Sequence, residues 1–180
     1  HFTFIFNNLI HDDGRLIHRY RSGESGLQAS VEDYAFLIWG LLELYETTFD
    51  VNYLTKAVEL QNIQDKYFWD EENLGYFFSP SDGEELITKT KEIYDGAIPS
   101  GNSVSAINLL KLGRILAKPE YEKKSIDIGK SFSRMIKQSV VGSTMFLTAV
   151  DYSLGPAYEI IFVSSSDFAD ESKSPEIISE

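Results

Sequence analysis

The sequence has no cysteine and only three histidines among its 180 residues. Without cysteine there are no disulfides, thiolate metal sites or cysteine nucleophiles. Three histidines (His1, His11 and His18) leave little for a histidine metal centre, and the zinc motif H-E-x-x-H does not occur. The P-loop, the dinucleotide fingerprint and the G-x-S-x-G elbow are also absent from the sequence. We therefore expect neither a metal nor a bound cofactor.

Positive charge is scarce as well, because 16 Lys and Arg face 28 Asp and Glu, giving a net charge of −12. A surface of this sign repels the phosphates of nucleic acids and of anionic membranes. No apolar run reaches the roughly 18 residues that a membrane-spanning helix needs. We therefore predict no nucleic-acid partner and no membrane partner. Since the chain begins at His1 rather than Met, we also expect it to be a piece of a longer protein.

Apolar residues are plentiful: 43% of the chain is hydrophobic and 13% aromatic, values typical of a globular domain. Residues 32–48 and 102–117 are apolar on nearly every side, which predicts helices buried between layers. Residues 51–68 and 120–138 carry one apolar stripe, which predicts outer, amphipathic helices. The order inner, outer, inner, outer, repeating after about 70 residues, predicts helical hairpins. Residues 2–10 fit either the end of a helix or an alternating strand.

The segments between and after these helices have their own patterns. The excursion over residues 69–99 contains the aromatic run 76–78, which predicts a short strand with residues 85–88 as a possible partner. Residues 158–163, "YEIIFV", are a further strand candidate. Residues 164–180 are acidic and rich in serine, so we expect a loosely ordered tail.

Three runs of sequence together point to a known family: "DYAFLIWGLLELYE", "FWDEENLGYFF" and "KEIYDGAIPSGNSVSAINLLKLGRI". They resemble the YyaL family, thioredoxin-domain-containing proteins related to a spermatogenesis-associated protein. Members join a thioredoxin-like domain to an (α/α)6 toroid that looks like those of N-acylglucosamine 2-epimerases and six-hairpin glycosidases. The resemblance covers residues 14–163. It implies an all-α fold, with residues 1–163 forming part of a toroid with a small β excursion, and no thioredoxin-like domain in this chain.

In the toroid that this resemblance implies, the inner helices begin around one mouth of a central cavity. Helix N termini offer free N–H groups and a partial positive charge, which suit polar ligands. The candidate substrate-binding residues at this mouth are Tyr34, Asn102, Ser103, Arg19 and Trp69. Simpler interpretations exist, because Ser100 is well placed as an ordinary N-cap and Arg19 as a solvated residue of a surface strand.

Acid–base chemistry has four candidates: Asp33, Asp95, Glu92 and His18. Glycoside hydrolysis needs two carboxyl groups, about 5 Å apart for retention or roughly 6.5–9.5 Å apart for inversion. Epimerisation needs a base that abstracts a proton, usually histidine, and only His18 is placed to reach the mouth. Structural roles are open as well, because Asp33 can complete a capping box with Ser30 and Asp95 can hold its own turn.

Two functions follow from these candidates. The first is a carbohydrate-handling domain, epimerase-like or glycosidase-like, acting on a sugar or another small polar ligand. The second is a non-catalytic scaffold that binds a ligand or partner beside a thioredoxin-like domain. An enzyme predicts titratable groups converging on a polar, aromatic-lined cavity, whereas a scaffold predicts polar groups that only satisfy backbone. Part of a toroid would also expose inner-helix surface, so we expect possible self-association.

Overall fold

The computed structural model describes residues 2–83, 89–156 and 158. Its secondary structure is mostly helical, with one small sheet. In chain order the elements are α1 (Phe2–Asn8), β1 (Ile17–Arg21), β2 (Glu24–Gln28), α2 (Val31–Thr48), α3 (Val51–Phe68), α4 (Gly101–Ile115), α5 (Pro119–Gln138), a 3-10 turn (Val140–Ser143) and α6 (Thr144–Leu154). Within the described ranges, no helix is both long enough and apolar enough to cross a membrane.

The four helices expected from apolar periodicity are present. Helix α3 occupies the predicted residues, and the boundaries of α2, α4 and α5 differ from prediction by one or two residues. Helix α4 ends early because Ala117 adopts a left-handed backbone conformation (φ 53°) and the N–H of Lys118 turns back to the carbonyl of Gly113. Of the two options for residues 2–10, the helix is confirmed by α1.

Helices α2, α4 and α6 form a central row, in which α4 packs against both of the others. Helix α3 packs against α2, and α5 packs against α4. Helix α4 is buried along most of its length, while α5 buries a single face that includes Tyr121, Ile128 and Phe132. The predicted types therefore hold for the amphipathic helices α3 and α5 and for the buried helix α4. Helix α2, predicted to be buried on nearly every side, instead buries one face, with six buried residues like α3.

The sequence patterns did not predict the 3-10 turn or helix α6. This helix is short and buries only Phe146 and Ala149, so its apolar stripe is weak. Its close fit depends on Gly129 of α5, where an added Cβ would lie 2.8 Å from the ring of Phe146. A contact between one glycine of α5 and one phenylalanine of α6 produces no periodic pattern in the sequence of either helix.

The small sheet does not lie in the excursion, where a strand or hairpin was expected. It lies at residues 17–28, where the simpler interpretation of Arg19 places a surface strand. Strands β1 and β2 form an antiparallel hairpin in which Ile17 pairs with Gln28. In the described part of the excursion, strand-like pairing is limited to one isolated bridge between Trp69 and Tyr76. After Tyr76 the backbone forms no continuous strand pair. The N–H of Phe77 donates to the carbonyl of Phe68, and the N–H of Phe78 donates to the carbonyl of Thr90. The proposed partner strand 85–88, the strand 158–163 and the tail 164–180 lie outside the described residues.

Candidate functional site

The first residues of α2 and α4 are in contact. At Gly101, the first residue of α4, an added Cβ would lie 2.7 Å from Cγ1 of Val31 and 3.3 Å from the backbone nitrogen of Glu32. Only glycine fits this approach without displacing α2. The N termini of these neighbouring helices therefore lie at the same end of the central row.

Asp95 links the start of α4 to the start of α6. Its Oδ1 accepts the N–H of Ser100 at 2.9 Å, and its Oδ2 accepts the N–H of Met145 at 2.7 Å. Its own N–H donates to the carbonyl of Gly142 at 2.7 Å. Both carboxylate oxygens thus satisfy backbone N–H groups, which helix N termini leave without intrahelical partners.

The polar side chains in the first turn of α4 also have hydrogen-bond partners within the protein. The Oγ of Ser100 accepts the N–H of Ser103 at 3.2 Å, and its hydroxyl donates to the Oγ of Ser103 at 3.0 Å. Asn102, only 1% exposed, accepts the N–H of Tyr76 at 2.7 Å. Its amide donates to the carbonyls of Tyr76 and Glu92, each at 2.9 Å. Ser100 is therefore an N-cap, and Asn102 fastens the excursion to the helix.

The first turn of α2 differs because it meets a side chain from the hairpin. The Nδ1 of His18, on β1, lies 3.1 Å from Oδ1 and 3.0 Å from Oδ2 of Asp33. Asp33 also accepts the N–H of Ser30 at 2.7 Å and its hydroxyl at 3.0 Å, so it serves as a cap as well. An ionised carboxylate can only accept, so Nδ1 is the donor in this pair and Nε2 is the ring nitrogen that Asp33 does not engage.

A cavity of about 750 Å³ opens beside this pair. Its polar lining includes His18, Glu32 and Asp33, and its apolar lining includes Phe36 and Phe78. The side chain of His18 is 53% exposed and that of Asp33 is 27% exposed, so both remain accessible from solvent. An open, partly aromatic cavity with a His–Asp pair can hold a small polar ligand and exchange a proton with it.

Glu32 is the group in this cavity that the sequence candidates did not include. Burial raises the pKa of its carboxyl, and the negative charges of Glu92 and Asp33 raise it further. A carboxylic acid with a raised pKa can donate a proton closer to neutral pH than an ordinary glutamate can. The sequence did contain a signal for Glu32. It directly precedes Asp33, so the first turn of α2 carries two adjacent acids.

The predicted binding residues Tyr34, Asn102 and Ser103 are buried in the described structure. The hydroxyl of Tyr34 accepts the N–H of Leu16 at 2.9 Å, which ties the hairpin to α2. Trp69 packs edge-on against Tyr76 with ring centroids 5.0 Å apart, and the ammonium of Lys124 lies 4.7 Å from its ring centre. None of these four is among the residues that line the cavity.

The remaining candidates are exposed. Arg19 follows His18 on β1 and therefore lies on the opposite face of the hairpin, where it pairs with Gly26. Glu92 is exposed and close enough to Glu32 to affect its pKa. The structure thus brings His18 and Asp33 together, with Glu92 nearby, and places Asp95 in the joint between α4 and α6. Across the described residues, no three metal-ligating side chains are grouped as a metal site.

The chain is similar to the proteins named spermatogenesis-associated protein 20. It is 42% identical to that of Rattus norvegicus and 41% identical to that of Homo sapiens, each over 109 residues. An uncharacterized protein of Caenorhabditis elegans is 45% identical over 103 residues. These matches cover 60%, 60% and 57% of this chain, which spans 14% of the length of each relative. No protein-family model matches the chain. The relatives' names fit the family that the sequence resembles.

Proposed function

We propose that this chain is part of an (α/α)6 toroid and handles a carbohydrate in the cavity beside His18 and Asp33. The observation that carries the proposal is the His18–Asp33 pair at the wall of an open, aromatic-lined cavity. The central row of α2, α4 and α6, with α3 and α5 packed against it, is the arrangement expected of consecutive toroid hairpins. Aromatic faces and polar groups are what a sugar ring and its hydroxyls need.

Of the two reaction types, the geometry favours the epimerase-like one. A glycosidase built on Asp33 and Asp95 needs two free carboxyl groups across one bond. Both oxygens of Asp95 accept backbone N–H groups, so this residue is already engaged. The His18–Asp33 pair instead supplies a single oriented base, which is what abstraction of a proton from carbon requires.

In this mechanism the Nε2 of His18 removes the proton from the carbon beside the carbonyl of an open-chain sugar. The electron pair of that C–H bond moves towards the carbonyl oxygen, and the carboxylate of Asp33 stabilises the imidazolium that forms. The carboxyl group of Glu32, with its raised pKa, returns a proton to the opposite face of the carbon. Exchange with solvent then resets both residues.

Solvent exchange gives a direct test. In D₂O, the chain should replace the proton at the abstracted position of a bound sugar with deuterium, and proton NMR would follow the loss of that signal. We expect His18→Gln to slow the exchange by about 10²-fold or more. His11→Gln is the matched control, because His11 lies outside the cavity. Equal exchange rates in both variants would contradict the role of His18.

The second candidate function is a non-catalytic scaffold beside a thioredoxin-like domain. It is favoured by Asp95, Ser100 and Asn102, whose polar groups satisfy the backbone. This alternative predicts that a sugar or other ligand binds without any deuterium exchange. Self-association also remains a prediction, and sedimentation velocity over a range of chain concentrations would test it.

A further inference from the structure

The cavity beside α2 carries more negative than positive charge. Glu32 and Asp33 both line it, and Glu92 is near enough to raise the pKa of Glu32. Among the described residues that line it, His18 is the one basic side chain. A ligand there meets two or three carboxylates against one imidazole.

Nearby cations are engaged elsewhere. Arg15 makes two hydrogen bonds to Asp82, at 2.7 and 3.0 Å. Lys91 donates to Asp70 and to the carbonyl of Leu74, each at 2.8 Å. Arg19 lies on the other face of the hairpin from His18. None of these cations lines the cavity.

The N terminus of α2 attracts anions, but the protein's own acids already use this effect. A helix N terminus is equivalent to about half a positive charge, confined to the first turn. Glu32 and Asp33 both lie in that turn. The ionised carboxylate of Asp33 alone carries a full negative charge, which exceeds the helix contribution, so an incoming anion is repelled. Glu32 adds a second negative charge once the pH exceeds its raised pKa.

We propose that this cavity selects its ligand by charge, accepting neutral and amino sugars and rejecting sugar phosphates and uronic acids. This inference rests on the proposed carbohydrate function of the same cavity. It adds the substrate class, and it names Glu32 as a residue that determines specificity. Two observations support it: acidic side chains outnumber basic ones in the described cavity lining, and Arg19 lies on the other face of the hairpin.

Affinity measurements on a matched ligand set test the selection. Glucose, N-acetylglucosamine, glucosamine, glucose 6-phosphate and glucuronate would be titrated against the whole chain, with saturation-transfer NMR as the readout. We expect the two anionic sugars to bind on the order of tenfold more weakly than the neutral ones. Raising the salt concentration should narrow this gap, because salt screens exposed charges.

Two variants test whether Glu32 causes the weaker binding of anionic sugars. Glu32→Gln should strengthen binding of glucose 6-phosphate several-fold relative to binding of glucose, so the ratio of the two affinities is the readout. Glu59→Gln is the matched control, because Glu59 is an exposed residue of α3 that pairs with Lys56. The control should change neither affinity.

The outcomes separate the two proposals. Binding of neutral sugars with equal or stronger binding of anionic sugars overturns the charge selection and leaves the carbohydrate function standing. Absence of binding for all five sugars overturns both. Selection that persists unchanged in Glu32→Gln and at high salt also overturns the inference, because shape rather than charge would then exclude the anions.

Discussion

Helices α2 and α4 both begin with polar residues at the same end of the molecule, but those residues act differently. At α4, the side chains of Asp95, Ser100 and Asn102 are occupied by backbone groups of the first turn of α4 and of neighbouring segments. At α2, Asp33 caps its helix and also holds His18 at the edge of an open cavity. The more unusual sequence, "YDGAIPSGNS", has the structural role. The plainer "SVEDY" contains Glu32 and Asp33, which line the cavity.

The contrast between the two helix starts predicts its largest loss of stability at Asn102. Replacing Asn102 with Ala leaves the N–H and carbonyl of Tyr76 and the carbonyl of Glu92 without their partner. We expect a loss of about 3 kcal/mol in the free energy of unfolding, at roughly 1 kcal/mol per hydrogen bond. Urea unfolding monitored by circular dichroism would measure it.

The matched control for this variant is Asn62→Ala, at an exposed position of α3. It should change stability by less than about 0.5 kcal/mol. Similar losses in the two variants would show that Asn102 does not fasten the excursion to α4.

Gly101→Ala should have the next largest effect. The added methyl would lie 2.7 Å from Val31, so α2 and α4 must move apart. We expect a loss of about 1–3 kcal/mol, as is usual for overpacking. Gly96→Ala is the control, because its nearest neighbour is a ring atom of Tyr94 at 3.6 Å. Thermal unfolding of both variants would compare them, and an undestabilised Gly101→Ala would contradict the close contact.

Substituting the aspartates one at a time should separate structure from chemistry. Asp95→Asn places an amide NH₂ against one of two backbone donors, so it should cost about 1–2 kcal/mol of stability while the folded protein keeps its ligand binding. Asp33→Asn should cost about 1 kcal/mol or less and slow deuterium exchange strongly, because His18 loses its carboxylate partner. Reversed effects on exchange would mean that Asp95 belongs to the site.

The smallest predicted effect is on pH dependence. The pKa of Glu32 is raised in the folded protein, so between the unfolded and folded pKa values the folded state binds more protons. The stability that protonated Glu32 contributes is therefore fully present below the pKa of Glu32 in the unfolded chain, and it is lost as the pH rises through its pKa in the folded protein. Glu32→Gln should flatten this part of the stability profile, which thermal unfolding between about pH 4 and 8 would show. An unchanged slope would contradict the raised pKa.

The sequence predicted the helices from α2 to α5 because their apolar periodicity is long and regular. It did not predict α6, whose position depends on contact with Gly129. The β1–β2 hairpin had a readable signal in Ser22-Gly23, both of which adopt positive φ as a two-residue type I′ turn requires. That signal is short, and the aromatic run in the excursion was the stronger pattern.

The candidate site was only partly predictable. His18 and Asp33 were each identified from residue type and position, but their contact depends on how the hairpin folds back on α2 through Tyr34 and Leu16. The environment of Glu32 depends on Glu92, 60 residues away along the chain. Interactions of this kind are set by tertiary packing, which local sequence patterns do not encode.

The most direct test of the contrast between α2 and α4 is a map of ligand-induced shifts in backbone amide NMR signals during a titration with a neutral sugar. We predict that the largest shifts occur at His18, Glu32, Asp33 and Phe36, around the cavity beside α2. The signals of residues 100–103 at the start of α4 should move little. Shifts concentrated at residues 100–103 would contradict this assignment, as would the absence of any shift around the cavity.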